Sequence, residues 1–561
     1  MPSHPCRRLA APGAALLLAA AACAPDRALA PAAPSDAPAS TALTPGDLRR
    51  AVAATSELPA LPATLNTAYV APTGRRLPVA PGGDLQAAID SARAGDVILL
   101  RPGATYVGNF VLRAKDPAAT AAIVIRTDVT LPSGTRMTPT RARSLQLARV
   151  VTTRDMPVFR TVSGAHHWRL MGLEVTADSA RTAMVSPLVQ LGYGADPQTS
   201  LATIARDLVL DRLYVHGHPS LRIKRCVALN SASTGVVESW VSDCHSDIQD
   251  SQAVGGTNGP GPYRIHNNYL EGAGENVMFG GADPTIPDLV PSDIEVTGNH
   301  VAKPLAWKDR WLVKNLLELK NARRVLVEGN VFENNWVDGQ SGTAIVLKSV
   351  NQSGDCPWCV TRDVTVRYNR VRNVAAGFSI AARPETHPAL PARLFLVAHN
   401  LVDGVGASNG TANGRQFALS GDLADVTITH NTLIPNRSGA QLVSLGGSIR
   451  GTDLTYTNQV QIRTAYGVGG TSVAEGTAAL DKYWASYTFA GNVMVAGSAS
   501  KYPAGNMFPA TIAALGFVDY AGGNYRLAST SLYAGRATDG TNPGANIDLV
   551  TSKTAGVVVA P

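Results

Sequence analysis

The chain has 561 residues, 45% of them hydrophobic and 16% charged, enough for several domains or for one elongated repeat fold. Its net charge of +7 is mild and spread out, with no Lys/Arg run, which favours acidic partners. Tryptophan (7) and cysteine (6) are scarce enough that where they cluster is informative.

The first thirty residues read as a targeting segment. Arg7 and Arg8 precede an apolar stretch, Ala10 to Ala22, too short to span a bilayer. It ends in Ala20-Ala21-Ala22-Cys23, a bacterial-type lipobox in which Cys23 becomes the lipidated first residue; residues 1–23 are then the signal peptide. The competing cleavage after Ala28-Leu29-Ala30 is disfavoured because Pro31 follows it. The expectation is an exported lipoprotein at the outer membrane or cell surface, with periplasmic or secreted location as the alternative. Nucleic acid is no partner in that compartment. Residues 24–65, rich in Ala and Pro, cannot bury enough apolar surface to offset ordering and read as a disordered tether. The folded body is expected over 75–561.

The body opens with an amphipathic helix at about 84–93. Two loose repeats follow, Trp168/Leu170/Leu173/Val175 and Leu208/Leu210/Leu213/Val215. A sharper template then recurs: apolar, x, apolar, x, x, Asn, x, apolar. It fits Tyr263/Ile265/Asn268/Leu270, Ile294/Val296/Asn299/Val301, Val325/Val327/Asn330/Phe332, Val364/Val366/Asn369/Val371, Phe395/Val397/Asn400/Val402, Val426/Ile428/Asn431/Leu433 and Tyr487/Phe489/Asn492/Met494. The Asn spacings are 31, 31, 39, 31, 31 and 61, the last close to two units. An apolar period of 2 excludes helical solenoids. Lone strands expose edges, but stacked copies pair at about 4.8 Å. The Asn, at a bend, tolerates left-handed backbone and bonds nearby peptide groups, so the copies are expected to form an Asn ladder.

These residues resemble the pectin-lyase-like superfamily. The opening GGDLQAAIDSARAGDVILLRPGATYVGNFVL resembles its entry, and NYRLASTSLYAGRATDGTNPGANID its exit. The resemblance implies an all-β chain, a single-stranded right-handed parallel β-helix with a short N-terminal capping helix. It leaves activity open, since the superfamily includes lyases, hydrolases, esterases and binding proteins.

A second strand in each unit carries the chemistry. If Leu317 and Leu319 face the core, Glu318 and Lys320 face out together, and Ile345–Leu347 presents Lys348 likewise. Asp250, Glu275, Asn276 and Arg383 fall on neighbouring coils, so one outward column is expected to hold Asp250, Glu275, Glu318, Lys320, Lys348 and Arg383. Trp307, Trp311, Trp336 and Trp358 fall in the same region and read, with Asn276, as contacts for sugar rings. Such a column suits β-elimination on a uronate, which needs the carboxylate neutralised, a base for the adjacent proton and help for the leaving oxygen. Asp250, Glu275 and Glu318 would hold a divalent cation, Ca2+, on oxygen ligands. Lys320 would be the base, assisted by Lys348 or Arg383. ELKNARRVLVEGNVFENN faintly resembles the Glu…Lys…Asn-rich coil of calcium-dependent alginate and chondroitin lyases, with a shorter gap from acid to Lys and no Arg-His-Gly after it.

Cys226, Cys244, Cys356 and Cys359 remain outside the leader, an even number in an oxidising location. Cys226/Cys244 suits a disulfide between neighbouring strands, and Cys356/Cys359 a staple around Trp358 in the 39-residue unit. Redox and zinc readings lack their contexts. Arg222-Ile223-Lys224 after His216-Gly217-His218 echoes polygalacturonase motifs, and Asp247 with Asp250 offers a carboxyl pair for hydrolysis. The leading expectation is a monomeric lyase for an acidic polysaccharide. The alternative is a non-catalytic, adhesin-like polysaccharide-binding β-helix; a glycoside hydrolase ranks third.

Overall fold

A computed structural model describes residues 57–181, 183–195, 197–383, 387–406, 414–436 and 441–561. The expected leader with Cys23, and the expected tether up to residue 56, lie outside the described residues. The fold is a right-handed parallel β-helix with three long parallel sheets of 14, 13 and 12 strands. Each turn of the solenoid contributes one strand to each, as in Gly261–His266, Tyr269–Gly272 and Glu275–Phe279, which we assign to the first, second and third sheets. Consecutive coils pair in register: Tyr263, Ile294, Val325, Val364, Phe395 and Val426 stack inside the first sheet. The inward residues of all three sheets make one continuous core.

The capping helix, Leu85–Ser91, closes the N-terminal end. Leu85 and Ile89 are buried against the first coil, and the Asp84 carboxylate accepts from the Ala87 N–H at 2.8 Å.

The Asn ladder runs between the first and second sheets. Asn299 N–H donates to Asn330 Oδ1 at 2.9 Å, and Asn330 N–H to Asn369 Oδ1 at 2.9 Å across the 39-residue unit. Each side-chain amide also donates to the previous coil, as Asn330 Nδ2 does to Val296 O at 2.8 Å. The coil missing from the template between Asn431 and Asn492 is present. Gln459 fills its slot, with Asn431 N–H on Gln459 Oε1 and Gln459 N–H on Asn492 Oδ1, both at 3.0 Å. Ser239 fills it on the coil before Asn268, accepting from Leu213 N–H at 3.0 Å. The left-handed backbone sits one residue before the slot, at Asn267 (φ 54°), Tyr368 (55°), His399 (54°), His430 (51°) and Asn458 (58°). The ladder residues are therefore selected for their amide, not for left-handed φ.

Residues 57–74 and the C-terminal segment both run along the stack. Residues 57–74 cross the first sheet's outer side: Ala60 N–H bonds Asp363, Ala63 N–H bonds Asp293, Arg264 bonds Leu65 O, and Arg169 bonds Thr67 O and Ala68 O. Ala60, Ala63 and Leu65, within the expected tether, thus bond the body. After Val493–Val495 the C-terminal segment returns past Asn458, His399 and Glu328 to Arg136 and Thr140.

Asn330→Ala should lower stability by about 2–4 kcal/mol, because it strands the buried Asn299 N–H and amide and the Val296 carbonyl. Thermal or denaturant unfolding reads this directly, and a substitution at an exposed strand position such as Thr452→Ala serves as the near-neutral comparison.

Candidate active site

Val277, Leu317, Ile345 and Phe378 are register partners and are all buried in the core. Alternation therefore turns Met278, Glu318, Val346 and Ser379 to the third sheet's outer face, and continuing the register sets Lys320 beside Lys348. Glu318 is fully buried between the two lysines: Lys348 Nζ lies 3.1 Å from its Oε1 and Lys320 Nζ 3.5 Å from its Oε2. Neither carboxylate oxygen has a partner in hydrogen-bond geometry. At the strand starts a polar ladder climbs the coils. Arg225 Nε donates to Gln252 Oε1 at 3.0 Å, and Gln252 Nε2 to Glu275 Oε2 at 2.8 Å. Glu275 is fully buried, and its Oε1 is unpartnered. Burial, with the like charges of Glu318 and Asp250, raises its carboxyl to about 7 against the opposing pull of Gln252 and Lys320. Asp250 is held by Lys314, whose ammonium burial would lower but whose bond to Asp250, and the charges of Asp250, Glu275 and Glu318, hold above its ordinary value. Five of the six expected residues thus form one cluster of three carboxylates facing three lysines, Lys314 being the addition.

Arg383 does not join it. Its guanidinium is taken by Asp422 at 2.7 Å and by Ala389 O at 2.9 Å. Asn276 is a second correction. It faces inward at the corner between the second and third sheets, donating to Leu270 O and Ala302 O and accepting from Lys303 at 2.8 Å. Lys303 is fully buried, and its Nζ also bonds the carbonyls of Gly272 (2.6 Å), Ala273 (2.9 Å) and Gly274 (3.3 Å). Burial lowers it to about 7, with Glu275 and Glu271 pulling the other way.

The tryptophans are not an open platform. Trp307, Trp311 and Trp336 are buried with Ala273 and Val313 in a satellite core over this corner. His245 packs inside, stacked on Trp311 at 3.9 Å and edge-on to Trp307 at 5.2 Å, and burial lowers it to about 4. Trp358 is half-buried and donates to Leu289 O at 3.2 Å. Cys226 and Cys244 are joined by a disulfide, as are Cys356 and Cys359. The Asp283 carboxylate accepts from the N–H groups of Gln352, Ser353 and Asp355 and pins that stapled loop.

Asp247 is engaged by Arg222, as Asp250 is by Lys314, so that carboxyl pair is spoken for. A pair the sequence did not reveal lies along the second sheet: burial raises Asp243 and Glu271, and the charge of Asp243 raises Glu271 further.

Among the described residues no group of three or more His, Cys, Asp or Glu side chains is disposed to hold a metal. The orphaned acceptors are a different set: Glu275 Oε1, both Glu318 oxygens and Asn315 Oδ1, on strands where Glu275 and Asn315 are register partners. Hard oxygen donors of this kind fit a calcium-like cation.

No family model and no curated protein matches the chain. Solved structures do. A PL6-family alginate lyase is 12% identical over 87% of this chain and 59% of its own, with a TM-score of 0.46. An alginate lyase from Paenibacillus is 14% identical over 78% and 98%, TM-score 0.34. A PL6-family polysaccharide lyase from Pseudopedobacter saltans is 12% identical over 77% and 92%, TM-score 0.37.

Two outcomes follow from the buried charges. Lys303→Met takes the ammonium donor from Gly272 O and Asn276 Oδ1, while Ala273 O and Gly274 O keep the Lys314 and Asn315 N–H groups, and should cost about 3 kcal/mol by chemical unfolding. Because Glu275 is raised in the folded state, the native protein holds an extra proton between the ordinary carboxylate range and about pH 7, and stability is lost as pH rises through that window. With chelator present, Glu275→Gln should therefore gain Tm relative to the parent at pH 8 and lose that advantage at pH 5.

Proposed function

We propose that the chain is a polysaccharide lyase that cleaves a uronate-containing glycan by β-elimination at the third sheet's outer face. The observation that carries this is the pair Lys320 and Lys348 on either side of buried Glu318. In this reading Lys320, as the neutral amine, takes the proton from the carbon that bears the uronate carboxylate. The electron pair left behind becomes the new carbon–carbon double bond. The glycosidic C–O bond breaks, and Lys348, as the ammonium, gives its proton to the departing oxygen. Glu318 spaces the two nitrogens from beneath, itself fully buried. Lys314 adds positive charge toward the substrate carboxylate. Calcium, held by Glu275, Glu318 and Asn315, would supply further neutralisation of that carboxylate when bound.

The non-catalytic reading leaned on the tryptophans, and with three of them buried the face offers lysines and carboxylates instead of ring platforms. The alginate and other polysaccharide lyases among the similar structures agree with the proposal but do not carry it. On the same reading the chain is an exported monomer, held at a membrane by lipid on Cys23, with the acidic glycan as its partner.

The test is ultraviolet absorbance of the unsaturated sugar ends when the protein meets a panel of uronate polysaccharides with calcium. A rise is expected on at least one. Lys320→Ala should cut kcat on the order of 100- to 10,000-fold while glycan binding persists. A flat trace across the panel, or full turnover by Lys320→Ala, sinks the assignment.

A further inference from the structure

A second groove, of about 1100 Å³, lies on the first sheet, a different side of the solenoid from the lysine cluster. Its floor is the outer face of six successive strands, from Val97 and Leu99 to Arg264 and His266. Five inter-strand steps give it a length of about 24 Å. The N-terminal segment 66–74 makes one wall and the loop 128–133 lines it as well.

The groove is built rather than incidental. Asp211, 2% exposed, sits in the floor and binds two arginines that are themselves more than nine-tenths buried. Arg169 Nη1 meets Asp211 Oδ2 at 2.6 Å, and its Nη2 holds the first wall through Thr67 O and Ala68 O. Arg212 Nε meets Asp211 Oδ1 at 2.7 Å, and its Nη1 holds the loop through Pro132 O at 3.1 Å. The lining carries five arginines (76, 126, 169, 212, 264) and three acids (Asp128, Asp211, Glu238), a balance of 5 − 3 = +2. The acids are already matched: Asp128 to Arg76 at 3.4 Å, Asp211 to Arg169 and Arg212, and Glu238 to Arg212 at 3.6 Å. Among the described residues, Arg126 and Arg264 form no close ion pair, although Arg264 acts on the charge of Glu295, its register partner on the next strand. Arg126 bonds the carbonyls of Thr127 and Val129. Arg264 bonds only Leu65 O at 3.3 Å, and its Nε is buried without an acceptor. An unmet buried donor favours any ligand that brings an acceptor. Between the arginines the floor is apolar, with Val97, Leu99 and Met171 packed together.

We infer that this groove is a second carbohydrate site, binding an acidic oligosaccharide whose carboxylates meet Arg126 and Arg264. It shares a ligand class with the proposed lyase site but not its residues, and it would keep the polymer on the protein between cleavage events.

The experiment titrates a tetrameric oligouronate into the full chain carrying Lys320→Ala, by calorimetry, with and without Arg126→Gln/Arg264→Gln. Two sites per chain are expected in the first protein. In the second, one is lost or weakened by 10-fold or more, with thermal unfolding unchanged and, on the Lys320 background, kcat unchanged. A neutral tetrasaccharide should not bind there. An identical isotherm for both proteins, or equal binding of the neutral sugar, overturns the inference. Absence of turnover by the Lys320 protein would sink the lyase assignment alone and leave this titration fully readable.

Discussion

From Asn268 onward each coil of this solenoid hands a side-chain amide to the coil before it, and that buried contact fixes the register on which the site depends. A one-residue slip in a strand would turn its inward residues outward. The ladder forbids it, because Asn299, Asn330, Asn369, Asn400 and Asn431 each accept a backbone N–H from one coil and bond on to the next. The eight extra residues of the 39-residue unit are absorbed between Lys348 and Thr361 without disturbing the ladder on either side. With the register held, residues far apart in the chain become neighbours on one face, and Glu318 comes to stand between Lys320 and Lys348.

Charge burial gives that face its character. A carboxylate removed from water needs compensating charge or hydrogen bonds, and one left short of them is pushed toward its neutral form. Glu318 has the amino groups of two lysines beside it. Glu275 has one amide bond and two like charges, and burial with those charges raises its carboxyl. Lys303 is met by neutral oxygens alone at contact distance, and it ties down the turn that leads into Glu275. The corner between the second and third sheets is therefore a charged joint, covered from outside by the tryptophan cluster and His245.

The repeating parts of the molecule were legible because period and spacing encode them: the stacked solenoid, the ladder and most of the outward column, with two strands per unit read where the coil has three. Gln459 and Ser239 escaped a template written for Asn, although each supplies the same acceptor. Asn276 misled because, early in its strand, its amide is claimed by Leu270 O, Ala302 O and Lys303 from the neighbouring corner. The tryptophans misled because their count and clustering do not say which way an irregular segment such as Leu305–Trp307 folds. Lys314 and Lys303 sit just outside the strands, where spacing carries no direction. The wall formed by residues 66–74 was invisible for a related reason, since a segment without periodicity declares no partner until the sheet it crosses exists.

The central claim is that the chemistry here is elimination at the lysine cluster rather than hydrolysis, for which the Asp243–Glu271 pair would be the natural acid and base. Cleaving the glycan in heavy-oxygen water and weighing the fragments by mass spectrometry separates the two. Elimination predicts fragments with unsaturated ends, each pair short of one water, and no solvent oxygen in either new end. Heavy oxygen at a newly formed end, with saturated fragments, would contradict the account and move the chemistry to the second sheet.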